Sequence, residues 1–146
     1  MEAVIFIGLQ GAGKSSFYKE RFFDTHVRIN LDMLRTRYRE RTLLQACIAA
    51  QQSFVIDNTN PTIVERAVYI QAARMTNFHI VGYFFQARIE ECVRRNQERA
   101  GQARVPIKAI YGTAKRLQAP TLDEGFDELF AVHLGTSGIF TVAVPT

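Results

Sequence analysis

The feature that most constrains this chain is Gly8-Leu9-Gln10-Gly11-Ala12-Gly13-Lys14-Ser15, which follows the apolar run Ala3-Val4-Ile5-Phe6-Ile7. Residues 16–23 continue in a helix-compatible pattern. Strand, glycine-rich turn and helix in that order form the context of a phosphate-binding loop. The glycines let successive N–H groups turn toward one phosphate, and the helix N-terminus adds partial positive charge. Lys14 is then spaced to reach the β- and γ-phosphates, and the Ser15 hydroxyl to ligate Mg²⁺. A plain connector needs the glycines but not Lys14 and Ser15 in register. The spacing therefore predicts a nucleoside triphosphate site, with Gly8, Gly11, Ala12, Gly13, Lys14, Ser15 and Ser16 as its nucleotide-binding residues.

At 146 residues the chain has the length of one domain, 1–146, able to bury a real core. Of its 18 basic residues 14 are arginines, in clusters at Arg28, Arg35, Arg37, Arg39 and Arg41 and at Arg94, Arg95, Arg99 and Arg104. The arginine fork suits phosphate oxygens. Any one of these residues alone reads as a solvated surface charge, but two clusters flanking a triphosphate site favour a polyanionic ligand. Cys47 and Cys92 are far apart and lack metal-ligand spacing, so they read as buried thiols of a reducing compartment. There is no basic-then-apolar leader and no long apolar run, so the expectation is a cytoplasmic protein without a membrane partner.

Strands are expected over 3–7, 26–29, 53–57 and 78–85, with a last strand or hairpin within 127–144. Between them the spacing predicts a helix with Leu31, Leu34 and Tyr38 on one face, and a separate apolar helix over 43–52. Another helix starts near Pro61, with Ile63, Ala67 and Ile70 on one face. Further helices are expected over 89–99 and from Pro106 to about 117, with a mobile loop at Ala100-Gly101-Gln102-Ala103-Arg104 between them. Strands alternating with helices predict an α/β P-loop fold: a mainly parallel sheet covered on both faces, with a helical and loop lid. Ligands in such sheets bind at the carboxyl ends of the strands, where Gly8, Asp32 and Asp57 fall.

Asp32 is placed to act as a general base toward an acceptor hydroxyl. On a helix, Arg35 would share its face and hold an acceptor phosphate. An N-cap aspartate paired with Arg35 has the same spacing, so both readings stand. Asp57 ends the third strand, where an aspartate supports Mg²⁺ through water; the metal-site residues are then Ser15 and Asp57. Asn58 follows instead of a water-positioning glutamate, which favours transfer to a hydroxyl over hydrolysis. Arg95 and Arg99, with Arg104, have the spacing of lid arginines that neutralise developing charge, although Glu91 also offers Arg95 a surface pair. His26, His79 and His133 show no ligand spacing.

Read along its whole length, the chain resembles the kinase domain of polynucleotide kinases, especially the polynucleotide kinase/phosphatase type. The matching segments are the phosphate loop, Ile29-Asn30-Leu31-Asp32, Val55-Ile56-Asp57-Asn58-Thr59-Asn60-Pro61, Cys92-Val93-Arg94-Arg95-Asn96, Val105-Pro106 and Ala119-Pro120-Thr121-Leu122-Asp123-Glu124-Gly125-Phe126. The resemblance covers residues 3 to 130. It implies ATP- and Mg²⁺-dependent phosphorylation of a 5′-hydroxyl end of DNA or RNA, and work in nucleic acid repair. By motif it implies phosphate contacts from Lys14, a general base in Asp32, an acceptor-phosphate contact in Arg35, a second acid in Asp57, and lid arginines in Arg95 and Arg99. Two departures stand out. Leu31 replaces an arginine common before the base, and the chain has no room for a phosphatase or phosphopeptide-binding domain. It therefore reads as a free-standing kinase, or one borrowing a separate phosphatase or ligase partner. The competing expectations are a small-molecule kinase of the same fold, acting on a nucleoside, sugar or other hydroxyl, and a non-catalytic nucleotide switch.

Overall fold

In the computed structural model, which describes residues 1–99, 101 and 104–145, the apolar run becomes the central strand β1 (Glu2–Ile7). It pairs in parallel with β3 (Phe54–Ile56) on one side and β4 (His79–Phe85) on the other. The continuous hydrophobicity of β1 follows from burial on both faces. Ala3, Ile5 and Ile7 enter one apolar cluster, while Val4 and Phe6 enter the other. The sheet order is β2-β3-β1-β4-β5-β6, where β2 is Val27–Ile29, β5 Glu128–Leu134 and β6 Phe140–Ala143. All neighbours are parallel except β5 and β6, which form the expected terminal hairpin.

Helices cover both faces. The cluster on the Ile5 side is closed by Leu44 and Cys47 of α3 (Arg37–Ala50) and by Tyr69, Ile70 and Ala73 of α4 (Ile63–Arg74). The opposite cluster takes Phe17 and Tyr18 of α1 (Lys14–Arg21), Cys92 of α5 (Ile89–Gln97) and Ile110 of α6 (Ile107–Arg116). Phe6, Phe17 and Phe85 pack there at ring-centroid distances of 5.0 to 5.8 Å, so these aromatics are core. Cys47 and Cys92 are free and buried. Among the described residues no helix is long and apolar enough to cross a membrane.

Three local expectations are corrected. Leu31, Leu34 and Tyr38 do not share one helix: α2 (Leu31–Leu34) stops after four residues at Arg35, whose φ is +77°. A new helix, α3, then starts at a Thr36 cap that accepts a hydrogen bond from Arg39 N at 3.1 Å. Local side-chain bonds to the backbone compete with helix continuation, so the cap ends one helix and begins the next. Tyr38 is exposed, and the expected separate helix over 43–52 is the second half of α3. In α4 the N-cap is Thr62, one residue past Pro61, and Ile63 is exposed. The buried stripe is instead Arg66, Tyr69, Ile70 and Ala73, a helical period whose first member is charged. In the lid region, Ala100, Gln102 and Ala103 of the expected loop lie outside the described residues.

Candidate active site

The carboxyl ends of β1, β2 and β3 converge as the alternation of strands and helices requires. Gly8, directly after β1, donates its N–H to Thr59 O at 3.0 Å, tying the phosphate loop to the segment after β3. Gly11 and Gly13 have φ of +82° and +99°. A Cβ on Gly11 would lie 2.5 Å from the Cys92 carbonyl oxygen, so α5 packs against the bare loop backbone. Ala12 is buried and donates its N–H to Leu9 O. The first intrahelical bond of α1 runs from Phe17 N to Gly13 O at 2.9 Å. The N–H groups of Gly13, Lys14, Ser15 and Ser16 therefore precede any helical acceptor and make the positive end of the helix dipole.

Lys14, only 8% exposed, donates from Nζ to Gly8 O at 2.9 Å and Leu9 O at 2.7 Å. Burial lowers its pKa to about 8, partly opposed by the Asp57 carboxylate. Asp57, 1% exposed at the end of β3, accepts at Oδ2 from the Ser15 hydroxyl at 3.0 Å. Mg²⁺ holds oxygens at about 2.0–2.1 Å in octahedral order, which sets neighbouring ligands about 2.9 Å apart. The Ser15 and Asp57 oxygens fit that spacing and are the hard donors such an ion prefers. Among the described residues no group of three or more His, Cys, Asp and Glu is arranged for a metal, so remaining ligands would come from nucleotide and water.

Asp32 is exposed in the first turn of α2, and two asparagines hold that turn. Asn30 accepts from Met33 N at 2.9 Å and donates to Asp57 O at 2.6 Å. Asn58 accepts from Leu31 N at 2.9 Å and donates to Glu40 Oε2 at 2.8 Å. Buried Glu40 also accepts from Arg37 at 2.9 Å and from the Tyr69 hydroxyl at 3.0 Å. Burial, followed by the neighbouring Glu40 charge, pushes the Tyr69 pKa up to about 12.

Two cavities meet at Asp32. One, of about 240 Å³, is bordered by Gly11, Lys14, Ser15, Asp57, Arg37 and Arg99 as well as Asp32. The other, of about 880 Å³, is bordered by Asp32, Ser16, Lys19, Arg28, Arg35 and Arg99. The structure thus brings together Lys14, Ser15, Asp32, Asp57 and Arg99. Arg35 borders the larger cavity, but from a left-handed residue that ends α2, not from a helix face shared with Asp32. Arg95 and Arg99 are not successive turns of one helix, since α5 ends at Gln97. Arg95 donates to Gly11 O at 3.2 Å and pairs with Glu91 at 3.6 Å, bracing the phosphate loop. Arg104 donates to Gln97 O and Arg99 O, capping the end of α5.

Sequence reasoning passed over Glu40 and Asn58 as a positioning group, and had Arg28 only as a member of the first arginine cluster, not as the partner of Asp57 that it is at 2.8 Å. Two signals were available. Glu40 sits one turn before Leu44 on the apolar stripe of α3, and Arg28 is a lone cation inside a short parallel strand.

A family model described as an AAA domain matches residues 35–120. The bifunctional polynucleotide phosphatase/kinase of Schizosaccharomyces pombe is 31% identical over 130 residues, covering 86% of this chain and 32% of that protein. The chain thus spans about a third of the length of that curated relative. A gluconokinase from Sinorhizobium meliloti shares the fold with a TM-score of 0.64 at 17% identity, over 90% of this chain and 82% of that one. Kti12 from Chaetomium thermophilum, solved with ADP-AlF3, gives 0.63 at 16% identity over 93% and 92%. The resemblance to polynucleotide kinases read from the sequence holds, as does the P-loop kinase fold. With its family model matched over more than half its length, and that fold around a phosphate loop, this chain belongs to the AAA domain family.

Proposed function

We propose that this protein transfers the γ-phosphate of ATP to the 5′-hydroxyl end of a polynucleotide, DNA or RNA. The observation that carries this reading is that Asp32 borders both cavities, one built from the phosphate loop and the other lined by Lys19, Arg28, Arg35 and Arg99. The triphosphate lies along Gly8–Ser16, its oxygens taking the N–H groups at the start of α1 and the Lys14 ammonium. The acceptor strand lies in the larger, basic cavity, with Arg35 and Lys19 toward its phosphates. The acceptor hydroxyl gives its proton to Asp32, its oxygen forms a bond to the γ-phosphorus, and the bond to the β-phosphate oxygen breaks to leave ADP. Arg99 faces the charge that develops on the transferring group. Mg²⁺ held by Ser15 and Asp57 would neutralise charge on the β- and γ-oxygens. The similarity to a polynucleotide phosphatase/kinase supports the same acceptor class.

The test is transfer of labelled γ-phosphate from ATP with Mg²⁺ to a 5′-hydroxyl oligonucleotide, to the same oligonucleotide already 5′-phosphorylated, and to a panel of nucleosides and sugars. Label on the 5′-hydroxyl oligonucleotide alone is expected. Transfer should weaken steeply with salt, because phosphate contacts release counterions on binding. Label only on a nucleoside or sugar would replace this reading with a small-molecule kinase. Nucleotide binding without transfer would replace it with a nucleotide switch. Asp32→Ala should abolish transfer while nucleotide affinity stays within a few-fold.

A further inference from the structure

Arg28 stands in the middle of β2, the half-buried strand at the edge of the sheet, where it faces the buried carboxylate at the end of β3. Its guanidinium straddles two oxygens: Nε donates to Asp57 Oδ2 at 2.8 Å, and Nη2 donates to Ser15 Oγ at 3.0 Å. Those oxygens, 3.0 Å from each other, are the pair that fits a divalent metal. A carboxylate as buried as Asp57 needs a counter-charge, and a guanidinium supplies one that does not deprotonate. A dication bound to the same two oxygens would meet a fixed positive charge at contact distance, which is unfavourable at any dielectric a protein offers.

We propose that Arg28 is the resident cation of the Ser15–Asp57 pair, and that a divalent metal occupies the pair only by displacing it. Arg28 neutralises Asp57 in the nucleotide-free protein and keeps the Ser15 hydroxyl oriented toward it. Its side chain is partly exposed on the wall of the larger cavity, beside Lys19, Arg35 and Arg99. On displacement its charge, no longer paired with Asp57, faces that cavity uncompensated. Metal binding on the donor side thereby strengthens the field on the acceptor side. The inference rests on the reading that Ser15 and Asp57 hold the nucleotide's metal, and not on which acceptor is phosphorylated.

The experiment is a Mg²⁺ titration of a fluorescent ADP analogue binding to the full chain, with no acceptor present. The proteins are wild type, Arg28→Gln, Arg28→Lys, Asp57→Asn and the double variant Arg28→Gln/Asp57→Asn. Arg28→Gln is expected to lower the half-saturating Mg²⁺ about tenfold, since a unit charge leaves a partly buried site. Arg28→Lys keeps the charge but loses the fork, so it should lower the midpoint by a smaller factor, about threefold. In the Asp57→Asn background Arg28→Gln should move the midpoint less than about twofold, because the contested ligand is gone. An unchanged or raised midpoint in Arg28→Gln would mean that Arg28 braces the metal ligands, and would overturn the proposal. An equal drop in both backgrounds would show a general field effect without competition for Asp57, and would also overturn the proposal. If Arg28→Gln does not fold, an unchanged midpoint in Arg28→Lys overturns the proposal by itself. Absence of any Mg²⁺-dependent binding to the wild type would instead overturn the nucleotide-site reading beneath it, a result distinct from a midpoint that does not move.

Discussion

Glu124→Gln tests the most deeply buried charge in the protein. Arg66 has no exposed side-chain surface, and Glu124 only 5%. Two parallel bonds join them, Nε to Oε1 at 2.8 Å and Nη2 to Oε2 at 2.9 Å, while Nη1 donates to Asn60 O at 2.9 Å. The glutamine is nearly the same size, so packing survives, but the guanidinium is left buried without its counter-charge and faces a donor where an acceptor stood. Breaking a buried pair from one side costs about 3–5 kcal/mol, most of it the penalty of the stranded charge. At roughly 2–4 °C per kcal/mol for a domain of this size, the melting temperature should fall by about 10 °C. Equilibrium urea unfolding reads the same loss as a lower midpoint with an unchanged slope. Arg66→Met combined with Glu124→Gln should be less destabilising than Glu124→Gln alone, because the stranded charge is gone. A loss below about 1 kcal/mol, or a double variant at least as unstable as the single one, would refute the argument.

Two further outcomes follow from the site. Lys14→Met should abolish nucleotide binding yet stabilise the nucleotide-free protein at pH 7, by up to about 3 kcal/mol if the full depression of its pKa from 10.5 to about 8 is recovered. The sign follows from proton counting: between about pH 8 and 10.5 the unfolded lysine holds a proton that the folded one has lost. Wild-type stability therefore gains on the variant as pH rises through that window, and urea midpoints for both proteins across it read the convergence. Glu40→Gln should cost about 1–3 kcal/mol by stranding buried donors. It should also slow single-turnover transfer more than it weakens nucleotide binding, since Asn58 and the turn bearing Asp32 hang from that carboxylate. Lost stability with an unchanged transfer rate would make Glu40 purely structural.

What the sequence determined alone is whatever is encoded within a few residues. The phosphate loop is a backbone shape dictated by glycines with a lysine and a serine at fixed offsets, so its geometry was readable before any contact was known. The same holds for β1, whose unbroken hydrophobicity requires two covered faces, and for Asp57 at a strand end. The tertiary structure decided every feature that depends on a distant partner. Arg66 on the buried stripe of α4 reads as an error of pattern until Glu124, 58 positions away, is beside it. Arg28 reads as one of many surface cations until β2 lies against β3 and brings it to Asp57, 29 positions on. The break at Arg35 belongs here as well: helical spacing continues through it, but the Asn30 and Asn58 clamps and the Thr36 cap offer the backbone better partners than another helical turn. Long-range pairing sets which charges are neutralised and which are left for a ligand, and spacing along the chain does not contain that information.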